Sequence, residues 1–198
     1  MLPNSLKKLI DNLKNLPGIG NKTAERLAFS MIGFDKTNLT NFANAIIEVR
    51  DKITYCHLCG NIAEDELCSV CSNQERDFST IFVVEKPKDI ILFEKLAVYN
   101  GIYHVLNGLI SPLDGIGPDE IAIDKLMSRI EKESIKEVIL ALKPSIEGET
   151  TMQYIRKILS DKEIKVSKIA TGVPIGTDME YIDALTLELA IDERKNMN

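Results

Sequence analysis

Apolar positions at Leu6, Leu9, Ile10 and Leu13 recur at helical spacing over residues 5–15, and Ala24, Leu27, Ala28 and Met31 repeat the pattern one segment later. Between them lies Leu16-Pro17-Gly18-Ile19-Gly20, a tight turn between two helices. Residues 37–49 read as a third, packing helix. From Ser79 the period changes. Residues 80–84 are a continuous β-favouring run, as expected of a strand buried on both faces. Pro87 opens a helical pattern (Ile90, Ile91, Phe93, Leu96, Ala97) that stops near Gly101. Residues 103–106, 137–142 and 165–170 read as three more strands. Helices are expected from Pro118 to about Lys132, with Asp119 and Glu120 placed to suit the dipole, and over residues 149–160. Strand and helix alternate, which predicts a parallel four-stranded sheet covered on both faces.

All four cysteines fall in one stretch between these two patterns: Cys56-His57-Leu58-Cys59 and Cys68-Ser69-Val70-Cys71. Two short CxxC turns bring four thiolates to the corners of a tetrahedron, the arrangement zinc takes in closed structural sites with no open position for water. Gly60 suits the tight turn of a knuckle. An iron centre of rubredoxin type or four free thiols are the competing readings, and His57 is a bystander between two ligands. Metal binding at such sites is worth on the order of 10–16 kcal/mol near neutral pH, so its loss should unfold a region with little core of its own.

The net charge of −6 argues against a nucleic-acid binder, but its distribution reverses that locally. Residues 1–55 carry eight Lys and Arg against five Asp and Glu, a net +3, while the other 143 residues carry 16 against 25, a net −9. A basic face can therefore sit on an acidic body. At the turn, Gly18 and Gly20 leave their N–H groups unshielded where a helix begins, so free N–H groups and the positive dipole end meet. Lys22 and Arg26 stand one turn apart beside them. This is a sequence-blind phosphate clasp; the bland alternative is a helix–helix turn serving packing or self-association. Apolar runs such as residues 81–84 and 138–142 are far short of the ~20 residues that span a bilayer. The N-terminus lacks the apolar stretch of a secretory signal. The expected setting is cytoplasmic, with no membrane partner.

In parallel sheets ligands gather beyond the carboxyl ends of the strands. Glu85 ends the first strand, and Glu147 and Glu149 follow the third. Three carboxylates on one rim can hold Mg²⁺; the alternative is a set of solvated loop acids that cap a helix. The glycine-rich stretch 109–119 reads as a shaped surface loop and a candidate partner contact, since Asp119 and Glu120 would repel an anion there. His57 and His104 have no visible partners, and the five tyrosines have no distinctive catalytic context.

The joint order of these pieces resembles the RecR family of bacterial recombination mediators over essentially the whole chain. The resemblance rests on LPGIGNKTAERLAF (16–29), CHLCGN (56–61), CSVCS (68–72), VVEKPKDI (83–90), YHVLNGLISPLDGIGP (103–118), PSIEGET (144–150) and GVPIGTDMEYID (172–183). It implies an α+β multi-module chain. Its parts would be a helix-hairpin-helix domain (1–54), a small four-cysteine zinc finger (55–78), a Toprim domain with the four-stranded parallel sheet (79–175) and a C-terminal helical segment (176–198). It also implies a DNA-repair role with RecF and RecO homologues, promoting RecA loading at single-stranded gaps, with protomers forming a dimeric or tetrameric ring-like clamp on single- and double-stranded DNA. By the same resemblance Gly18, Gly20, Lys22 and Arg26 contact DNA, Glu85 and Glu147 face a RecO-like partner, and Cys56, Cys59, Cys68 and Cys71 hold one structural zinc.

Four positions depart from the family pattern. Lys143 stands where Asn is common, Asn107 where Gly is frequent, and Thr171 and Thr177 differ near the GVP motif. Lys143, close to the rim acids, weakens any metal reading there. Catalytic Toprim domains hold Mg²⁺ with a strand-end Glu and an Asp-x-Asp after a later strand. Here that strand runs into Lys143-Pro144 with no Asp-x-Asp. The expectation is a non-catalytic mediator, with a Mg²⁺-dependent Toprim nuclease or phosphoryl-transfer enzyme as the alternative.

Overall fold

The structure, a computed structural model, describes residues 2–170, 172–192 and 194, and only the backbone of Leu185. Thr171, singled out above, and most of the stretch 193–198 lie outside the described residues. The chain divides into two units, the first ending at Ile53 and the second beginning at Thr54. In the first, α1 (Asn4–Lys14), α2 (Asn21–Ile32) and α3 (Lys36–Lys52) follow one another. Leu6, Ile10 and Leu13 of α1 pack on Ala24 and Ala28 of α2, as the helical period dictates. Asp35 caps α3, accepting from the Asn38 N–H at 2.8 Å.

The second unit opens with an antiparallel pair, β1 (Thr54–Tyr55) and β2 (Ile62–Ala63). Then come β3 (Asp77–Val84), α4 (Pro87–Leu96), β4 (Gly101–Val105), α5 (Ile123–Lys132), β5 (Glu137–Ala141), α6 (Ile146–Ile158), β6 (Lys165–Lys168) and α7 (Ala184–Asp192). Strands β3 to β6 form one parallel sheet in the order β4-β3-β5-β6. Alternation along β3 explains the two cores. Ile81 and Val83 enter the core built with Leu126, Leu140 and Ile155, while Phe82 and Val84 enter one built with Tyr103, Val105 and all four cysteines. The expected architecture is therefore present: helical module, four-cysteine cluster, four-stranded parallel sheet and terminal helix.

Two elements differ from expectation. The third helix, read as a packing helix, buries none of its residues. Pro118–Glu120 is a single 3-10 turn, and α5 begins only at Ile123. The break is set by tertiary contacts: the Ala122 N–H donates to the Leu106 carbonyl at 2.9 Å, and its own carbonyl meets His104 Nε2 at 2.8 Å. His104, expected to have no partner, is pinned there with 1% of its surface exposed.

Candidate nucleic-acid interface and metal centre

The turn between α1 and α2 is built from its residue types. The Ile19 N–H donates to the Leu16 carbonyl at 3.1 Å across Pro17 and Gly18, and Gly18 has φ +80°. Pro at the second position and a positive-φ glycine at the third are the requirements of a type II turn. Gly20 then caps α2 in an extended conformation with no side chain to satisfy the helix end. The first intrahelical bond runs from Ala24 N–H to Gly20 carbonyl, so the N–H groups of Asn21, Lys22 and Thr23 precede the ladder. A Cβ added at Gly18 or Gly20 would meet no heavy atom within 4 Å, so the backbone there is open to approach. Lys22 and Arg26 are exposed, and neither makes an ion pair or side-chain hydrogen bond among the described residues. One acid sits nearby: Glu25 accepts from the Asn21 side chain at 3.1 Å. The structure thus brings Gly18, Gly20, Lys22 and Arg26 to one end of α2, where they offer free donors and two uncommitted cations.

The cysteine pairs lie on two tight turns. The Gly60 N–H returns to the Cys56 carbonyl at 2.8 Å, and the Ser72 N–H to the Cys68 carbonyl at 3.0 Å. All four side chains are buried, and their sulfurs lie within 4.8 Å of one another. Tetrahedral corners around an ion with Zn–S bonds of about 2.3 Å are about 3.8 Å apart, so the set fits one zinc ion. Cys59 and Cys68 Sγ are 3.5 Å apart, and the Asn61 N–H points at Cys59 Sγ from 3.4 Å. Packed this closely, the thiols cannot ionise independently. Hydrogen bonds to Cys68 and Cys71 hold Cys59 far above the ordinary thiol range, and hydrogen bonds from Cys59 and Cys71 hold Cys68 far below it. Cys71 is pushed up to about 12: its contact with Cys59 acts downward, and Cys68 and burial outweigh it. A dication at the centre would remove that conflict by favouring the thiolate at every corner.

The knuckles are not an isolated appendage. The Val105 N–H donates to the Cys59 carbonyl at 2.8 Å, and a Cβ on Gly60 would approach Val105 Cβ to 3.3 Å. Gly60 also has φ +76°, so both backbone angle and proximity to β4 call for glycine. Residues beyond the second knuckle are tied down as well. Arg76 forms an ion pair with Glu94 and reaches the carbonyl of Gly101 at 3.4 Å, and the Tyr103 hydroxyl donates to Glu94 at 2.7 Å. Sequence patterning gave no sign of this network, because its members are far apart in the chain.

At the carboxyl ends of the strands, Glu85 is mostly buried and pairs with Lys86 at 3.0 Å. Glu147 and Glu149 lie in the first turn of α6. The Ser145 side chain, its own N–H and then Lys143 hold Glu147 below the usual carboxylate range, and Glu149 pairs with Lys168 at 3.7 Å. Among the described residues the four cysteines are the only group of three or more Cys, His, Asp or Glu side chains close enough to hold a metal ion. The three glutamates are thus separately engaged, not gathered as a ligand set. Gly148 has a packing reason: a Cβ there would lie 2.0 Å from the Lys143 carbonyl oxygen.

Comparison with known proteins follows this modular division. The family model for the RecR helix-hairpin-helix matches residues 6–50, that for the RecR four-cysteine zinc finger domain residues 53–73, that for the Toprim domain residues 79–170 and that for the RecR C-terminal region residues 172–195. A protein named Recombination protein RecR from Lactobacillus helveticus (strain DPC 4571) is 47% identical over 193 residues, 97% of each chain. Its namesake from Staphylococcus haemolyticus (strain JCSC1435) is 46% identical over 195 residues, 98% of each chain.

Proposed function

Because the chain belongs to the RecR family of recombination proteins, we propose that it is a non-catalytic DNA-binding mediator of recombinational repair in the cytoplasm. It works with RecO and RecF homologues to promote RecA loading at single-stranded gaps, as an oligomeric clamp. The observation that carries this reading is the end of α2. The uncapped N–H groups after Gly20, the open backbone at Gly18, and the unpaired Lys22 and Arg26 are what a phosphate backbone needs, and none of them reads base identity. One zinc per chain, on Cys56, Cys59, Cys68 and Cys71, supplies structural support and no chemistry.

Self-association is supported by α3, none of whose residues is buried. Phe42, Ile46, Ile47 and Val49 are 50–63% exposed, an apolar face unusual for an unassociated helix. Assembly multiplies a weak contact per protomer. Glu85 and Glu147 form the acidic part of the rim assigned to a RecO-like partner. The binder reading is favoured over a Mg²⁺-dependent nuclease because Glu85 and Glu149 are each paired with a lysine and Glu147 lies against Ser145 and Lys143.

The test combines two measurements. A ring engaging ~6–10 phosphates should lose ~10³–10⁵ in affinity between 50 and 200 mM salt. The Lys22→Ala/Arg26→Ala double variant should lose DNA binding while light scattering shows unchanged assembly. Cleavage of labelled single-stranded or gapped DNA in Mg²⁺ or Mn²⁺, abolished by Glu85→Gln, would establish the nuclease instead.

A further inference from the structure

The two edges of the parallel sheet are treated differently. On β4 the outer edge is occupied: the Val105 N–H is taken by the Cys59 carbonyl. On β6 the sheet stops. Its only strand partner among the described residues is β5. The Lys165 N–H bonds to the Lys136 carbonyl at 2.9 Å and the Ile169 N–H to the Leu140 carbonyl at 3.1 Å. In a parallel ladder alternate residues face one neighbour, so the main chain of Val166 faces outward.

Beside this edge, under α6, run two adjoining cavities of about 340 and 230 Å³ that share Glu149, Met152 and Lys168. The first has Leu140 and Val166 on its floor and Gln153 and Arg156 on its rim. The second has Leu142, Pro144 and Ile169. The second hollow is mostly apolar and the first is mixed, and a strand added at this edge would turn alternate side chains toward the α6 side. The rim carries one uncommitted cation: Arg156 is exposed and makes no ion pair or side-chain hydrogen bond among the described residues, while Lys165 pairs with Glu137 at 3.1 Å and Lys168 with Glu149 at 3.7 Å.

We infer that the outer edge of β6 and the groove beneath α6 form a docking site for an extended acidic segment of another protein, which adds as a fifth strand. Backbone bonds to the Val166 edge supply affinity, aliphatic side chains fill the apolar parts of the two hollows, and an intervening carboxylate pairs with Arg156. Such a site shares no residue with the end of α2 or with the acidic pair Glu85 and Glu147, so its occupation uses none of the groups assigned to DNA.

The experiment uses the full chain and a fluorescein-labelled, capped peptide alternating glutamate and valine, with a lysine–valine peptide as the charge control. Fluorescence anisotropy should show binding of the acidic peptide only. Val166→Pro removes an outward N–H while leaving the β5 ladder intact, and Arg156→Glu reverses the rim charge from an exposed helix position. Each should weaken binding by roughly tenfold or more. Amide exchange should show the Val166 N–H unprotected in the free protein and protected with peptide. The inference is overturned if neither peptide binds, if both bind alike, or if both variants bind as wild type. Protection of the Val166 N–H in the free protein, lost when the oligomer is diluted to protomers, would overturn it too, since a second copy would then already cover the edge.

Discussion

The backbone N–H of Val105 donates to the carbonyl of Cys59 across 2.8 Å, so the first cysteine knuckle is bonded to the outer edge of β4. The four cysteines also share a core with Phe82, Val84, Tyr103 and Val105. Metal removal should therefore be felt beyond the knuckles. With a strong chelator, or in Cys59→Ser, amide protection should fall in β4 together with residues 56–71, and the thermal midpoint of the whole second unit should drop. A knuckle that melts while β4 keeps its protection would show the two to be uncoupled.

Gly148 sits where a Cβ would lie 2.0 Å from the Lys143 carbonyl oxygen. That neighbour is backbone and cannot swing away. Gly148→Ala should cost about 1–3 kcal/mol by overpacking, read as a lower denaturant midpoint at unchanged slope. It should also loosen the Ser145 cap, whose hydroxyl accepts from the Gly148 N–H at 3.2 Å.

Legibility in the sequence followed the range of the interactions. The CxxC turns, the buried run of β3 and the Pro-Gly turn before α2 are set by residues within a few positions of one another, and each was readable. The late start of α5 was not: Pro118 with Asp119 and Glu120 satisfies every local rule for a helix start. Leu106 and His104, far back in the chain, hold Ala122 instead. Arg129 shows the same limit. It falls within the helix expected to run to about Lys132 and nothing local marks it, yet it is 5% exposed and donates to the Tyr103 carbonyl at 2.6 Å and to Glu133 at 2.8 Å. Of the candidate site, the composition of the α2 start was legible. That its backbone stands in open space needed coordinates.

His104 gives acid stability a slope of its own. Burial, opposed by its bond to Ala122 and reinforced by Arg129 and Lys125, brings it down to about 4 from an ordinary value near 6.5. The unfolded chain therefore takes up the proton first. The stabilisation is complete above pH 6.5 and is lost as pH falls toward 4, on the order of 3 kcal/mol in all. The carboxylates held low, such as Asp77, Glu94 and Glu137, act in the same direction but below the ordinary carboxylate range. His104 should thus contribute to the loss between pH 6.5 and 5, beside the cysteine thiolates, which the unfolded chain also protonates. The unfolding free energy of His104→Gln should be lower at neutral pH and fall less steeply than wild type over that window; an undiminished slope would assign the whole loss to other groups.

Gly20 and the cations beside it should fail in different ways. Gly20 has φ −82°, which any residue adopts, and no atom lies near its missing Cβ. Gly20→Ala should therefore cost less than about 1 kcal/mol, chiefly as a poorer cap. The new methyl would stand in front of the N–H groups of α2, where a phosphate oxygen has to approach. DNA affinity should fall with the salt dependence unchanged, because no counterion-releasing charge has been removed. Lys22→Ala removes one, so log affinity against log salt should flatten by about 0.7 per protomer engaged on a single strand and about 0.9 on a duplex. If Gly20→Ala binds as wild type while Lys22→Ala flattens the slope, the contact is made by charge alone and the helix end is a bystander. If both changes leave binding intact, DNA lies elsewhere on the protein.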